Sequence, residues 1–294
     1  HLPWYDMFTW FEAHTISRDL NAYGAGLVGM PFLGIAFNDY MGWSHTNNVH
    51  DGQDLYELTL KGDGYQWGEE VLQFEERSVE IMVRDGEENT SASEFLIRES
   101  VHGPVVSEKD GNAYALRVVG LDQPHVFRQY FDMARAKTLK SFQDAIRPLQ
   151  NPFFTIMYAD KDGHIMHVFG GRTPIRPAGD WNWLGVVPGD SPETIWNETH
   201  SYDELPKSID PESGWLQNAN DPPWTTTFPR AIIRKNYPDY MSQNFMHFRA
   251  QRSARMALED GSITFAELID YKMDTKMELA DRVLDDLLAL TENS

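Results

Sequence analysis

Short apolar, aromatic and β-branched runs recur through the first part of the chain, separated by clusters of Gly, Pro, Asn and Asp. That punctuation predicts strands rather than helices. The runs lie at Met7 to Ile16, Gly26 to Val28, Leu33 to Phe37, Met41 to His45 and Leu55 to Leu60. Further ones follow at Val71 to Val83, Phe95 to Val101, Ala113 to Val119, Phe154 to Ala159 and His164 to Phe169. Asp162-Gly163 between the last two predicts a hairpin, because Gly supplies the positive φ of a tight turn. Gly62-Asp63-Gly64 reads as another turn.

Helical spacing appears in two places. Thr138 is a candidate N-cap ahead of Leu139, Phe142, Ile146 and Leu149, with Pro148 set to end or kink the helix. Thr264 and Glu267 have capping-box spacing, and Leu279, Val283, Leu287 and Leu290 mark one face of a final amphipathic helix. The chain thus divides into β-rich stretches at 1–120 and 151–172, helical ones at 124–150 and 247–291, and a loop-rich stretch at 173–230. Strands first and helices later predict an α+β fold rather than alternating βαβ units. No internal repeat or low-complexity tract is evident in the 294 residues.

Charge narrows the partners. With 25 Lys and Arg against 45 Asp and Glu, the formal net charge is −20, the wrong sign for a nucleic-acid or anionic-membrane surface. No apolar run approaches the roughly 20 residues needed to span a bilayer as a helix. The absence of Cys excludes disulfides, thiolate nucleophiles and Cys-ligated metal centres. It is weak support for an oxidising compartment.

Several strings fail on context. Gly24 to Gly29 satisfies GxGxxG, but Pro31 follows where a phosphate-binding helix should begin, so these glycines read as turns flanking short strands. His164 and His167 point to opposite faces of a strand and cannot share a metal. HExxH, GxSxG and Walker motifs are missing, and the acceptor patterns at Asn89 and Asn197 recur often by chance.

Three clusters carry chemistry. Trp43-Ser44-His45-Thr46-Asn47-Asn48 ends a strand in a turn whose backbone N–H groups are suited to an oxyanion. Just after it, Asp51 and Asp54 with an intervening carbonyl offer hard oxygen ligands suited to calcium, or simply solvated acids. Arg98 to Val106 form the second cluster. The third, Gln217-Asn218-Ala219-Asn220-Asp221, supplies an amide donor or a self-bonded Asx-turn.

Taken in order, these segments resemble the penicillin acylase (penicillin amidase) family of N-terminal-nucleophile hydrolases, which includes acyl-homoserine-lactone and cephalosporin acylases. The likeness runs from Leu27–Pro31 through Phe37-Asn38 to Trp43–Asn47, then His102–Val106, Ala113–Arg117 and the Asn151 to Pro177 hairpin with Gly170-Gly171-Arg172. Gln217–Asp221, Arg249–Leu258 and Leu279–Leu290 complete it. The pattern is nearest to the acyl-homoserine-lactone and cephalosporin types.

The resemblance implies an αββα sandwich, of which residues 1–294 form part of one domain lacking the nucleophile strand and a C-terminal portion. It implies hydrolysis of an N-acyl amide by a Ser whose free α-amine acts as base and which lies upstream of His1. Asn47 would give its backbone N–H and Asn220 its side-chain amide to the oxyanion. Arg252, or Arg249 three residues earlier, would orient the nucleophile and Asn220. His1 falls beside the nucleophile, and Leu2, Trp4 and His45 on the substrate side, with Leu2 in place of a more usual aromatic. Asp51, the Gln53 carbonyl and Asp54 match a calcium-ligand pattern. No cofactor is required. The implied partners are a small-molecule N-acyl substrate and a companion small chain from the same precursor, in the periplasm or outside the cell. The span alone is expected to be inactive, and the alternative is a non-catalytic relative that binds acylated ligands.

Overall fold

The alternation of the sequence becomes strand, and its helical spacing helix, in a computed structural model that describes Tyr5 and residues 8–86, 89–242 and 245–292. In chain order the elements are β1 (Trp10–Ile16), β2 (Asn21–Leu27), β3 (Ile35–Asn38), β4 (Met41–Thr46), β5 (Gln53–Lys61), β6 (Gly64–Trp67), β7 (Glu70–Gln73) and β8 (Glu75–Asp85). There follow β9 (Asn89–Ser100), β10 (Gly103–Lys109), β11 (Asn112–Val118), α1 (Val126–Arg135), α2 (Leu139–Ile146), β12 (Thr155–Asp160) and β13 (Ile165–Phe169). Last come β14 (Val186–Pro188), β15 (Lys207–Ile209), α3 (Phe248–Glu259), α4 (Phe265–Met273) and α5 (Glu278–Glu292). The content is mixed helix and sheet, as the pattern predicts.

The chain divides into two compact units, one of residues 1–51, 123–172 and 201–294, the other of 52–122 and 173–200. In the first, a seven-stranded antiparallel sheet runs β1-β2-β3-β4-β12-β13-β15. Its apolar face carries Ala22, Ala36, Met41, Trp43, Ile156, Tyr158, Met166 and Val168, packed with Tyr130 and Met133 of α1 and Phe142 and Ile146 of α2. These alternate along the strands and recur at three or four residues along the helices, so one face of each is apolar. Thr138 caps α2 through a reciprocal pair with Ser141, and α2 ends at Ile146, ahead of Pro148.

The second unit is built on an eight-stranded sheet, β7-β6-β5-β11-β10-β9-β8, with β14 added parallel to β5. Leu58, Tyr65, Phe74, Ala113 and Ala115 form its core. The run expected as one strand from Val71 to Val83 is split at buried Phe74, because β7 pairs with β6 whereas β8 pairs with β9. The turns at Gly62 and Gly163 both have positive φ, and Asp160 accepts from the backbone N–H of Asp162 and His164 to close the second.

Gly24 and Gly26 correct the reading of that segment as turns: both lie inside β2. A Cβ on Gly24 would meet the Ile35 carbonyl oxygen at 2.2 Å, and one on Gly26 the Phe32 carbonyl oxygen at 2.4 Å. The glycines serve close approach of backbone to backbone. His164 is exposed and bonded to Asp210, while His167 on β13 is fully buried. Among the described residues no helix is long and apolar enough to cross a membrane.

Candidate active site

β4 ends at Thr46, and the next two residues are anchored to the first unit in different ways. Asn48 is buried, and both polar atoms of its side chain are bonded. Its amide donates to the Gly170 carbonyl at 2.7 Å, and its carbonyl accepts from the Phe154 N–H and His50 Nδ1. The Gly170-Gly171-Arg172 motif shapes that contact. Gly171 has φ +105°, and a Cβ there would meet the Pro152 carbonyl oxygen at 2.4 Å. Arg172 ties the motif down by donating to the Leu149 carbonyl and to Gln123. Phe154 itself sits at φ +96°, a strained conformation for a residue with a side chain.

Asn47, by contrast, is exposed, and its carbonyl accepts the Asn220 Nδ2–H at 2.6 Å. Asn220 is presented by a loop that bonds to itself. Gln217 donates to Asp221 and to the Thr225 carbonyl, Ala219 N–H donates to Asp221, and Thr226 Oγ1 donates to the Gln217 carbonyl. Asn218 Oδ1 accepts from Thr46 Oγ1 on β4 and from the Asn220 N–H, an Asx-type closure. The Asx geometry therefore falls on Asn218, leaving the Asn220 side chain to face Asn47. Asn220 holds φ +62°, a left-handed conformation that Asn tolerates better than most residues.

The guanidinium that reaches Asn220 belongs to Arg249, in the first turn of α3, whose Nη2 donates to Asn220 Oδ1 at 2.7 Å. Arg252, three residues on, is held instead by Asp274 through Nε and Nη2. An Arg has only donors, so Arg249 fixes the carbonyl of the Asn220 amide on its own side and turns Nδ2 toward Asn47. One Nδ2 hydrogen goes to the Asn47 carbonyl, and the second remains to be given.

His45 stands two residues before Asn47 on β4. Its Nδ1–H donates to the Gly34 carbonyl at 2.7 Å, leaving Nε2 as an acceptor with no hydrogen-bond partner among the described residues. The ring packs 5.0 Å from Tyr130 and 6.0 Å from Phe154, and this burial lowers its pKa to about 4. Tyr130 stacks on Phe32 at 3.9 Å and accepts from Asn151 Nδ2. Phe32 and Tyr130 line an apolar cleft of about 600 Å³ with Phe11, Ala13, Leu20, Ala22, Leu33, Phe127 and Phe131. A wall of rings thus runs from that cleft to His45. Of the remaining expected site residues, His1, Leu2 and Trp4 lie outside the described residues.

Of the three residues matched to a calcium-ligand pattern, Asp51 is half-buried and Gln53 is exposed at the start of β5. Asp54 is fully buried. Arg176 Nε and Nη2 each donate to it at 3.1 Å, and the Trp196 indole N–H donates at 2.7 Å. Burial lifts its carboxyl above the usual range against the pull of Arg176. A carboxylate so occupied, with a guanidinium already against it, does not fit a calcium ligand, which needs its oxygens free for a divalent ion. Arg176 and Trp196 had no motif to mark them in the sequence. Asn48 was visible within the Trp43–Asn48 cluster, whereas Phe32, Tyr130 and Phe154 were visible only as apolar positions.

The first unit thus brings together a strand-end turn, an amide held by an arginine and an aromatic wall, groups of the kind that can meet a developing negative charge. The chain belongs to the penicillin amidase family, whose model matches residues 1–294. It is 26% identical to the acyl-homoserine lactone acylase PvdQ of Pseudomonas syringae pv. syringae, over 98% of this chain and 41% of that protein. It is 29% identical to the penicillin acylase 2 proenzyme of Pseudomonas sp. strain SE83, over 88% of this chain and 34% of that one. The thermostable penicillin G acylase of Alcaligenes faecalis shares its fold, with a TM-score of 0.78 at 22% identity, over 91% of this chain and 47% of that structure's. The chain thus spans about two-fifths of the length of these curated acyl-homoserine lactone acylases.

Proposed function

We propose that the protein is an amidohydrolase cleaving an N-acyl amide, with Asn47 and Asn220 holding the oxyanion. One observation carries this reading: the Arg249–Asn220–Asn47 relay leaves a single, oriented Nδ2 hydrogen beside the Asn47 turn. The nucleophile comes from the rest of the protein, as an N-terminal Ser upstream of His1. Its hydroxyl attacks the acyl carbonyl while its own α-amine, with an ordinary pKa near 8, takes the proton. The carbonyl oxygen becomes negative and is met by the Asn47 N–H and Asn220 Nδ2–H. Collapse returns the proton to the leaving amine, and water then releases the acid from the acyl ester. Arg249 is a positioning residue that acts through Asn220. The family resemblance assigns His1 to the neighbourhood of the nucleophile.

The aromatic-walled cleft takes the acyl group, its size lying within the range of small-molecule pockets. His45, Leu2 and Trp4 belong to the same substrate side, and an aliphatic acyl chain suits Leu2. The αββα sandwich, a companion chain from one precursor and a periplasmic or secreted location form part of the same reading.

The test is to incubate the complete, processed protein with a panel of N-acyl amides, including acyl-homoserine lactones and β-lactam side-chain amides, and to follow acid and amine release by mass spectrometry. Hydrolysis, with sulfonyl fluoride labelling confined to a polypeptide beginning in Ser, is the expected result. Tight binding of an acylated ligand with no turnover would replace this reading by a non-catalytic one.

A further inference from the structure

Asp54 is one of the most enclosed charges in the second unit. Neither its side chain nor that of Arg176 has any solvent exposure. Its Oδ2 accepts from both Arg176 Nε and Trp196 Nε1, and its Oδ1 from Arg176 Nη2. A second guanidinium lies on the same face of the sheet, because Arg117 is the ladder partner of Asp54 between β5 and β11. Arg117 is fixed over the Trp196 ring at 4.6 Å and donates to Asn197 and to the Val101 carbonyl. Two guanidinium groups thus lie near this carboxylate.

Arg176 is itself held rigidly. It follows a short bridge in which Ile175 N–H donates to the Glu198 carbonyl and His200 N–H to the Thr173 carbonyl. A calcium ion takes six to eight oxygen ligands. Among the described residues no three His, Asp or Glu side chains are grouped to hold a metal ion.

We propose that Arg176 is a built-in replacement for the cation that the family resemblance assigns to Asp54, its guanidinium tying β5 to the 173–200 segment so that the protein keeps its fold without calcium. A guanidinium is permanently charged and covalently attached, so no chelator can remove it. The inference is independent of the catalytic reading, because it is measured on stability and metal content.

The complete processed protein, purified with calcium present and then desalted, is expected to carry no stoichiometric calcium by elemental analysis. Its melting temperature is expected to be the same in excess EDTA and in excess calcium chloride. Stoichiometric calcium, or a melting temperature that falls in EDTA, overturns the proposal. Arg176→Met is expected to melt clearly below the parent, and an unchanged melting temperature would also overturn it. Should that variant yield no folded protein, the chelator and metal measurements on the parent decide alone.

Discussion

Two polar networks in this molecule use the same side-chain chemistry to opposite ends. Around Asp54, three N–H donors close on one carboxylate in a space with no solvent, and the result is a fastening. Around Asn220, an arginine and a backbone carbonyl hold an amide at the surface, and one N–H remains to be given. The difference lies in exposure. A buried network must satisfy every group, since an unmade bond there costs the full desolvation of its atom. A half-exposed one can keep a donor in reserve, and a donor held in place but unspent is what an incoming oxyanion needs.

The comparison can be strained first by acid, which acts on both units at once. Burial holds His45 and His102 at about 4 and His167 at about 3, below the ordinary 6.5. Their neutral forms are the native ones, so the unfolded chain binds more protons between pH 6.5 and about 4. Stability is complete above that window and is lost as the pH falls through it, by about 1.4 kcal/mol per group and pH unit. Urea unfolding across this pH range is expected to show the loss, and His102→Asn to reduce its slope. A flat profile would mean that these rings are not buried as neutral imidazoles.

Asp54→Ala should cost the next most, about 3–5 kcal/mol, because it leaves the Arg176 charge buried without its partner. Urea unfolding of the complete protein reads this, and the catalytic rate of the surviving folded fraction should be little changed. Arg249→Met should do the reverse. Loss of a hydrogen bond from a charged donor is worth about 1.5–3 kcal/mol, here appearing in kcat with a small change in melting temperature. Smallest is Arg252→Met. Its pair with Asp274 is partly exposed, a setting worth about 0–1 kcal/mol, and kcat should stay within error of the parent. Equal losses of kcat from the two arginine variants would remove the distinction between them.

Much of the scaffold was legible in the sequence. Alternation located β1, β4, β5, β11, β12 and β13, and capping chemistry located the starts of α2 and α4 at Thr138 and Thr264. What it lost has physical reasons. β2 is broken by glycines that look like turns and are needed for strand contact. α1 falls inside the helical stretch expected at 124–150, but its start after His125 has no side-chain cap to mark it. β14 and β15 are three-residue strands set by partners far away in the chain.

Part of the candidate site's geometry was legible as well. Asn47 and Asn220 were found from ordered motifs, and the structure joins them. The arginine was expected at Arg252 with Arg249 as the alternative, and the structure brings Arg249 to Asn220; both residues share one face of α3, and only contact separates them. The acidic triplet shows a limit of reading from spacing. Spacing shows that carboxylates are near one another in sequence, but not that a guanidinium more than a hundred residues on is already bonded to one of them.

The most direct test of the account is the rate of amide hydrolysis by the complete processed protein before and after Asn220→Ala, with melting temperature measured in parallel. Losing one oxyanion donor should lower kcat by about 10²–10³-fold, while the fold melts close to the parent. A variant that melts normally and hydrolyses its substrate at the parent rate would show that Asn220 does not hold the oxyanion.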